Sequence, residues 1–203
     1  AAPAPPPDGR LSGPAAAAVP NCTALSLIAQ TPYQIPGMCE LVGAGWRSLE
    51  LGVLGPWQRV LYEEQVAEAV GRNRLLEEVT LVWPGGDQPH TYTALFDALR
   101  PLPLRRVTIT LGCWSSGPVD LRALILALAH RHTVETLAVN GMGCDPHQPT
   151  ALPLDQLPNL KDLSLVWTRT FDCFQQARPV TLDLGGLDLR RLLWRSCWCK
   201  FGG

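Results

Sequence analysis

The feature that most limits what this chain can fold into is a spacing that returns seven times. An apolar residue, two free positions, a second apolar residue, one free position and a third apolar residue stand at Trp46, Leu49 and Leu51. The same spacing recurs at Leu76, Val79 and Leu81, at Leu104, Val107 and Ile109, and at Val134, Leu137 and Val139. Leu160, Leu163 and Leu165 repeat it, as do Leu189, Leu192 and Trp194, and Cys22, Leu25 and Leu27 form a weaker copy at the front. The middle residues, at 25, 49, 79, 107, 137, 163 and 192, are separated by 24, 30, 28, 30, 26 and 29 positions. One match means little where apolar residues are common, but seven in near-register are hard to obtain by accident. Self-similarity at such a period marks a repeat architecture.

Between the copies the period changes. Tyr92, Leu95, Phe96 and Leu99 fall at i, i+3, i+4 and i+7, and Leu121, Leu124, Ile125 and Leu128 do the same. Each set is one apolar stripe along a helix. Trp57, Val60, Leu61, Ala67 and Val70 make a looser stripe, with Glu63, Glu64 and Glu68 expected to face water. Gly117-Pro118 suits a helix start, because proline fits a first turn. Pro149, Pro153 and Pro158 leave room only for a short helical turn around Leu154 to Leu157, and Thr168 to Arg178 has room for one more.

Each unit thus alternates a short strand with a helix. Neither element hides its apolar face alone, whereas stacked units bury them against each other. The expected fold is α/β, a solenoid of about six or seven units. Its parallel strands would line a concave face, with helices outside. Thirteen of the first twenty residues are Ala or Pro, so residues 1–20 are expected to be a disordered linker. The repeat domain then covers 21–198, and 199–203 form a tail.

The units resemble leucine-rich repeats, whose strand motif is L-x-x-L-x-L. Their length and helical segments are similar to the ribonuclease-inhibitor-like class, which includes repeat regions of NOD-like receptors and of F-box adaptors. That family usually has Asn or Cys three residues past the last apolar strand position. Here those positions hold Leu54, Pro84, Gly112, Met142, Thr168 and Cys197, so only Cys197 conforms and the repeats are divergent. The resemblance implies a non-enzymatic module that binds another protein on its concave face. Alternatives are the substrate-recognition part of an F-box-type ubiquitin ligase adaptor and the ligand-sensing arm of an innate-immune receptor.

Composition removes other classes. With 17 Lys and Arg against 18 Asp and Glu there is no basic excess for nucleic acid. The best apolar stretch, Leu121 to Ala129, contains Arg122 and is too short to span a bilayer. The chain opens on Ala1, not Met, and is expected to be a fragment or a processed product, monomeric as an isolated domain. Its seven cysteines are scattered and odd in number, which fits reduced thiols in the cytoplasm. A secreted, disulfide-bonded chain is the alternative, to which the Asn21-Cys22-Thr23 sequon belongs.

The expected contact surface is the set of free positions in the strand motif. Glu78, Arg106 and Thr136 should sit side by side on adjacent strands, about 4.8 Å apart, with Arg47, Glu50, Glu77, Arg105, Glu135, Lys161, Asp162, Arg190 and Arg191 on the same face. Such a ladder of opposite charges either supports its own sheet or sets partner choice and orientation. Trp83 and Trp167 share one place in their units, two residues past the last apolar strand position. They either pack on the following loop or anchor a partner. The partner-binding candidates are Glu78, Trp83, Arg106, Glu135, Trp167 and Arg191. Cys197-Trp198-Cys199 and Cys144 with His147 lack the paired spacing of a zinc site, so no metal or cofactor is expected. His90, His130, His132 and His147 belong to no nucleophile elbow, phosphate loop or zinc-protease motif, so no catalytic residue is assigned.

Overall fold

The computed structural model describes residues 23–53, 60–83, 92–111, 121–142, 151–169, 181–182 and 186–198. The expected linker 1–20 and tail 199–203 lie outside them.

The chain begins with strand β1 (Ala24–Ala29), then a 3-10 turn (Pro32–Gln34) that leads into α1 (Ile35–Leu41). Next come β2 (Ser48–Val53), α2 (Val60–Gly71), β3 (Glu78–Trp83) and α3 (Thr93–Leu99). β4 (Arg106–Leu111), α4 (Leu121–Ala129) and β5 (Thr136–Met142) follow. Further on stand β6 (Ala151–Leu152), a 3-10 turn (Leu154–Gln156), β7 (Asp162–Arg169), β8 (Thr181–Leu182) and β9 (Arg191–Trp198).

Seven strands form one sheet in the order β1-β2-β3-β4-β5-β7-β9, and every neighbouring pair is parallel. The fold is therefore α/β, built on one large parallel sheet whose strand order follows the chain. The middle residues of the repeated spacing stand in register across it: Leu25, Leu49, Val79, Val107, Leu137, Leu163 and Leu192. The last apolar residues form a second line from Leu27 to Trp194. From Leu49 to Leu165 both lines are buried, each side chain contributing about 1.5–3 kcal/mol by leaving water.

Strand order explains why, among the described residues, only one face is covered. Each crossover advances one strand in the same direction, and parallel crossovers share one hand, so all the helices land on one side. There α1 packs on α2, α2 on α3, and α3 on α4. The helix stripes Leu95-Phe96-Leu99 and Leu121-Leu124-Ile125-Leu128 join the strand residues in one continuous core. Parallel sheets are usually covered on both faces and read as unbroken apolar runs. Here the strands alternate: in β2, Leu49 and Leu51 are buried while Ser48 and Glu50 are half-exposed. Among the described residues no element covers this second face.

Several expectations change. Glu63 does not face water but is buried at 9% exposure, and one of its carboxylate oxygens accepts the Leu95 amide at 3.4 Å. It thereby serves one of the unpaired amides in the first turn of α3. The spacing 63, 66, 67, 70 puts it on the same stripe as Val66, Ala67 and Val70, all buried. Helix α1 is additional to the expected helices; Pro36 occupies its first turn. Thr168 and Arg169 extend β7 instead of starting a helix, and the rest of that segment lies outside the described residues, as do Trp57 and Gly117-Pro118. The short turn foreseen around Leu154 is a 3-10 turn. On the covered side of the later units, β6 and β8 pair in a small parallel ladder of their own.

Candidate functional site

The open face owes its chemistry to the polar half of the strand alternation. At the start of the strands, register aligns Ala24, Ser48, Glu78, Arg106, Thr136, Asp162 and Arg191. Two residues on, the line is Ser26, Glu50, Thr80, Thr108, Ala138, Ser164 and Leu193. One residue before the strands a rim runs Arg47, Glu77, Arg105, Glu135, Lys161, Arg190. Its backbone is locked by a repeated pair of bonds. The amides of Arg105 and Arg106 donate to the Glu77 carbonyl, those of Glu135 and Thr136 to Arg105, and those of Lys161 and Asp162 to Glu135.

The side chains of the rim interlock laterally. Arg47 pairs with Glu77. Arg105 donates to Glu135 through Nη2 at 2.6 Å and through Nε at 3.1 Å, both to Oε1. Lys161 Nζ donates to the other carboxylate oxygen at 3.2 Å. Glu135 therefore bridges two cations from the strands on either side. Its carboxyl is held below the usual glutamate range, first by the hydrogen bond from Arg105 and then by that from Lys161. Arg105 is raised above its ordinary value, chiefly by the same bond to Glu135. In the line behind the rim, Arg106 Nη1 lies 3.4 Å from Glu78 Oε1, Ser48 donates to Glu78 Oε2 at 3.5 Å, and Ser26 donates to Glu50 at 2.7 Å.

These groups are far from buried: the ion-paired side chains of the rim and of Glu78–Arg106 are 30–59% exposed. Each such pair contributes about 0–1 kcal/mol, so the ladder does little to hold the fold. It does fix charges in a set pattern on a rigid sheet. Two shallow grooves run along it. One of about 460 Å³ is lined by Glu77, Pro103, Arg105, His132, Thr133, Glu135, Asn159 and Lys161. The other, about 260 Å³, lies between Glu77, Glu78, Arg105, Arg106, Glu135 and Thr136. The smaller is lined mainly by polar surface and the larger by polar and apolar surface in about equal parts, unlike the enclosed, mostly apolar pockets that hold small molecules.

Of the expected contact residues, Glu78 and Arg106 stand opposite each other in register and touch. Glu135 lies on the rim just before the line that holds them. Arg191 shares the line of Arg106 but stands three strands away, about 14 Å at the usual strand spacing. Trp83 ends β3 and Trp167 stands two residues before the end of β7, each about 17 Å along the strand from its charged start. Two strands, β4 and β5, separate them. Their side chains lie outside the described residues. Among the described residues no group of three or more His, Cys, Asp or Glu could hold a metal ion. Cys144, His147, Cys173 and Cys199 lie outside that description, as does the Cys197 side chain.

Reasoning from the sequence missed Asn73, which is fully buried. Its Oδ1 accepts the Trp46 amide at 3.2 Å and its Nδ2 donates to the Ala69 carbonyl at 3.0 Å. It ties the end of α2 to the segment leading into β2. Thr133 and Asn159 likewise bond back to the preceding turn of chain, to the Leu104 and His132 carbonyls, each at 2.6 Å. The signal was a polar residue one to three positions ahead of the apolar residue that opens three of the copies, at Leu76, Val134 and Leu160.

No family model, no curated protein and no solved structure matches the chain. What the site can do therefore rests on its own geometry. No helix among the described residues is long and apolar enough to cross a membrane.

Proposed function

We propose that the chain is a divergent leucine-rich-repeat solenoid of the ribonuclease-inhibitor-like type, and that its open sheet face binds another protein. One observation carries the reading: a parallel sheet in strict chain order, clothed by helices on one side and presenting fixed, half-exposed charges on the other. A broad, polar face without an enclosed pocket among the described residues suits recognition by shape and charge complementarity. Turnover of a small substrate has no such support, and we read the chain as non-enzymatic. Glu78, Arg106 and Glu135 form the central contact set, Arg191 extends it toward the last strand, and Trp83 and Trp167 supply anchors at the far edge. The same reading carries the reduced, cytoplasmic setting expected from the scattered cysteines.

The test compares faces. Partners captured by the wild-type chain are quantified against Arg106→Glu, against Thr108→Arg in the middle of the open face, and against Arg122→Glu, an exposed residue of α4. Loss of the same partner, by about tenfold or more, with both open-face variants but not with Arg122→Glu is expected. Equal recovery with all three variants refutes the proposal.

A further inference from the structure

The ion pairs of the open face match one cation to one carboxylate at two places and depart from that rule at a third. Arg47 pairs with Glu77, and Arg106 with Glu78. At Glu135 two cations from different strand starts, Arg105 before β4 and Lys161 before β7, share a single carboxylate. This cluster in the interior of the sheet therefore carries one surplus positive charge. Asp162, the next residue along, belongs to the line behind the rim and does not line the larger groove beside the cluster.

The donors of the cluster are only partly engaged. A guanidinium has five N–H groups and an ammonium has three. Arg105 gives its Nε–H and one Nη2–H to Glu135 Oε1, and Lys161 gives one Nζ–H to Oε2. Three N–H groups of Arg105 and two of Lys161 remain, and among the described residues no acceptor takes them. Both side chains line the groove of about 460 Å³. Its walls are held by bonds of their own, from Thr133 to the Leu104 carbonyl and from Asn159 to the His132 carbonyl. Glu135 in turn fixes the two cations from behind, so the free donors are ordered before anything meets them. Pro103 adds a ring with no donor of its own to the same wall.

We infer that this groove receives an acidic side chain, aspartate or glutamate, of the protein that the open face binds, its carboxylate accepting from the free N–H groups of Arg105 and Lys161. The inference rests on the reading of that face as a protein-binding surface and names the chemistry the partner presents there. One surplus positive charge matches one carboxylate, and charge-assisted bonds of this kind are among the strong ones. A lysine or arginine brought to the same place would meet like charge, so the groove also fixes how the partner is oriented. Glu135 is then a positioning residue, which holds the two donors in place.

The probe is the peptide Ala-Ala-Glu-Ala-Ala, blocked at both ends so that its one charge is the glutamate carboxylate. It is titrated to millimolar concentration against the full chain, with NMR shifts read at the Arg105 Nε–H and at the amides of Thr133, Asn159 and Lys161. Saturable shifts are expected at these groups and not at the Nε–H of Arg122, an exposed guanidinium on α4. The same peptide with glutamine in place of glutamate should bind about fivefold more weakly or less, and the one with lysine should not bind. Arg105→Gln and Lys161→Gln should each weaken the glutamate peptide about fivefold, and Lys161→Gln should reduce partner capture in the same proportion. Equal affinity for the glutamate and glutamine peptides overturns the inference, as do equal shifts at Arg122 or no saturable binding. Acetate binding as tightly as the peptide overturns it by assigning the groove to free carboxylates, and undiminished capture by Lys161→Gln overturns it too. Thr108→Arg lies away from the groove, so loss of the partner through that variant keeps the open-face reading standing even where the groove fails.

Discussion

Asn73 gives the sharpest quantitative test of how successive turns of the chain are held together. Asn73→Ala removes an acceptor from the Trp46 amide and a donor from the Ala69 carbonyl. A buried polar group left without a partner costs about 1–3 kcal/mol. Ala69 is fully buried, so its carbonyl incurs the whole penalty; Trp46 is half-buried, so water recovers part of the loss at its amide. The expected destabilisation is about 2–4 kcal/mol. In urea, with a slope of about 2–3 kcal/mol per molar, the midpoint falls by roughly 1 M with the slope unchanged. Asn159→Ala supplies the control: its bond to the His132 carbonyl joins two exposed residues and should cost about 0.5–1 kcal/mol. The reasoning fails if Asn73→Ala unfolds within about 0.5 kcal/mol of wild type, or costs no more than Asn159→Ala.

Three other outcomes follow from the structure. Leu137→Ala, at a fully buried position in the middle of the sheet, should cost about 2–5 kcal/mol in the same unfolding experiment; a loss under about 1 kcal/mol would contradict the packing described. The Glu135 carboxyl should titrate below the usual glutamate range by NMR, and Arg105→Gln should move it back up. Because the folded value is depressed, the stabilisation is present above the ordinary glutamate range and is lost as pH falls through the folded value. The gap between wild type and Glu135→Gln should therefore close on acidification, and a pH-independent gap is the contrary result. Cys39 is buried and reduced, and loss of hydration pushes its thiol up to about 11. Peptide mapping after iodoacetamide treatment at neutral pH should find it unmodified in the folded chain and alkylated in urea, since the thiolate is the reactive form.

Much of this architecture is legible in the sequence because two periods alternate. Leu49 and Leu51, or Val107 and Ile109, announce a strand by their spacing, and Leu121, Leu124, Ile125 and Leu128 announce a helix. The pairing of Glu78 with Arg106 then needs only the register that those strands share. What the pattern hides is polar burial. Glu63 and Asn73 look like surface residues by type, and only their neighbours reveal that one serves an amide of α3 and the other ties α2 to the segment before β2. Helix α1 was hidden by Pro36 and Gly37, which depress helix propensity but here sit in a short helix held by the buried Ile35, Met38 and Cys39. The splitting of the contact set into a charged rim and a distant tryptophan edge follows from strand length, which the three-residue motif does not encode.

The strand order has a consequence for how the molecule assembles and comes apart. Every pairing in the large sheet joins positions 24 to 30 residues apart, so no contact there requires closing a long loop of chain. Loop-closure cost rises only slowly over so narrow a range, which gives each step nearly the same entropic toll. Ordering can start at several points and spread to both sides. Force applied to the two ends would peel the sheet one strand at a time instead of shearing it in a single event.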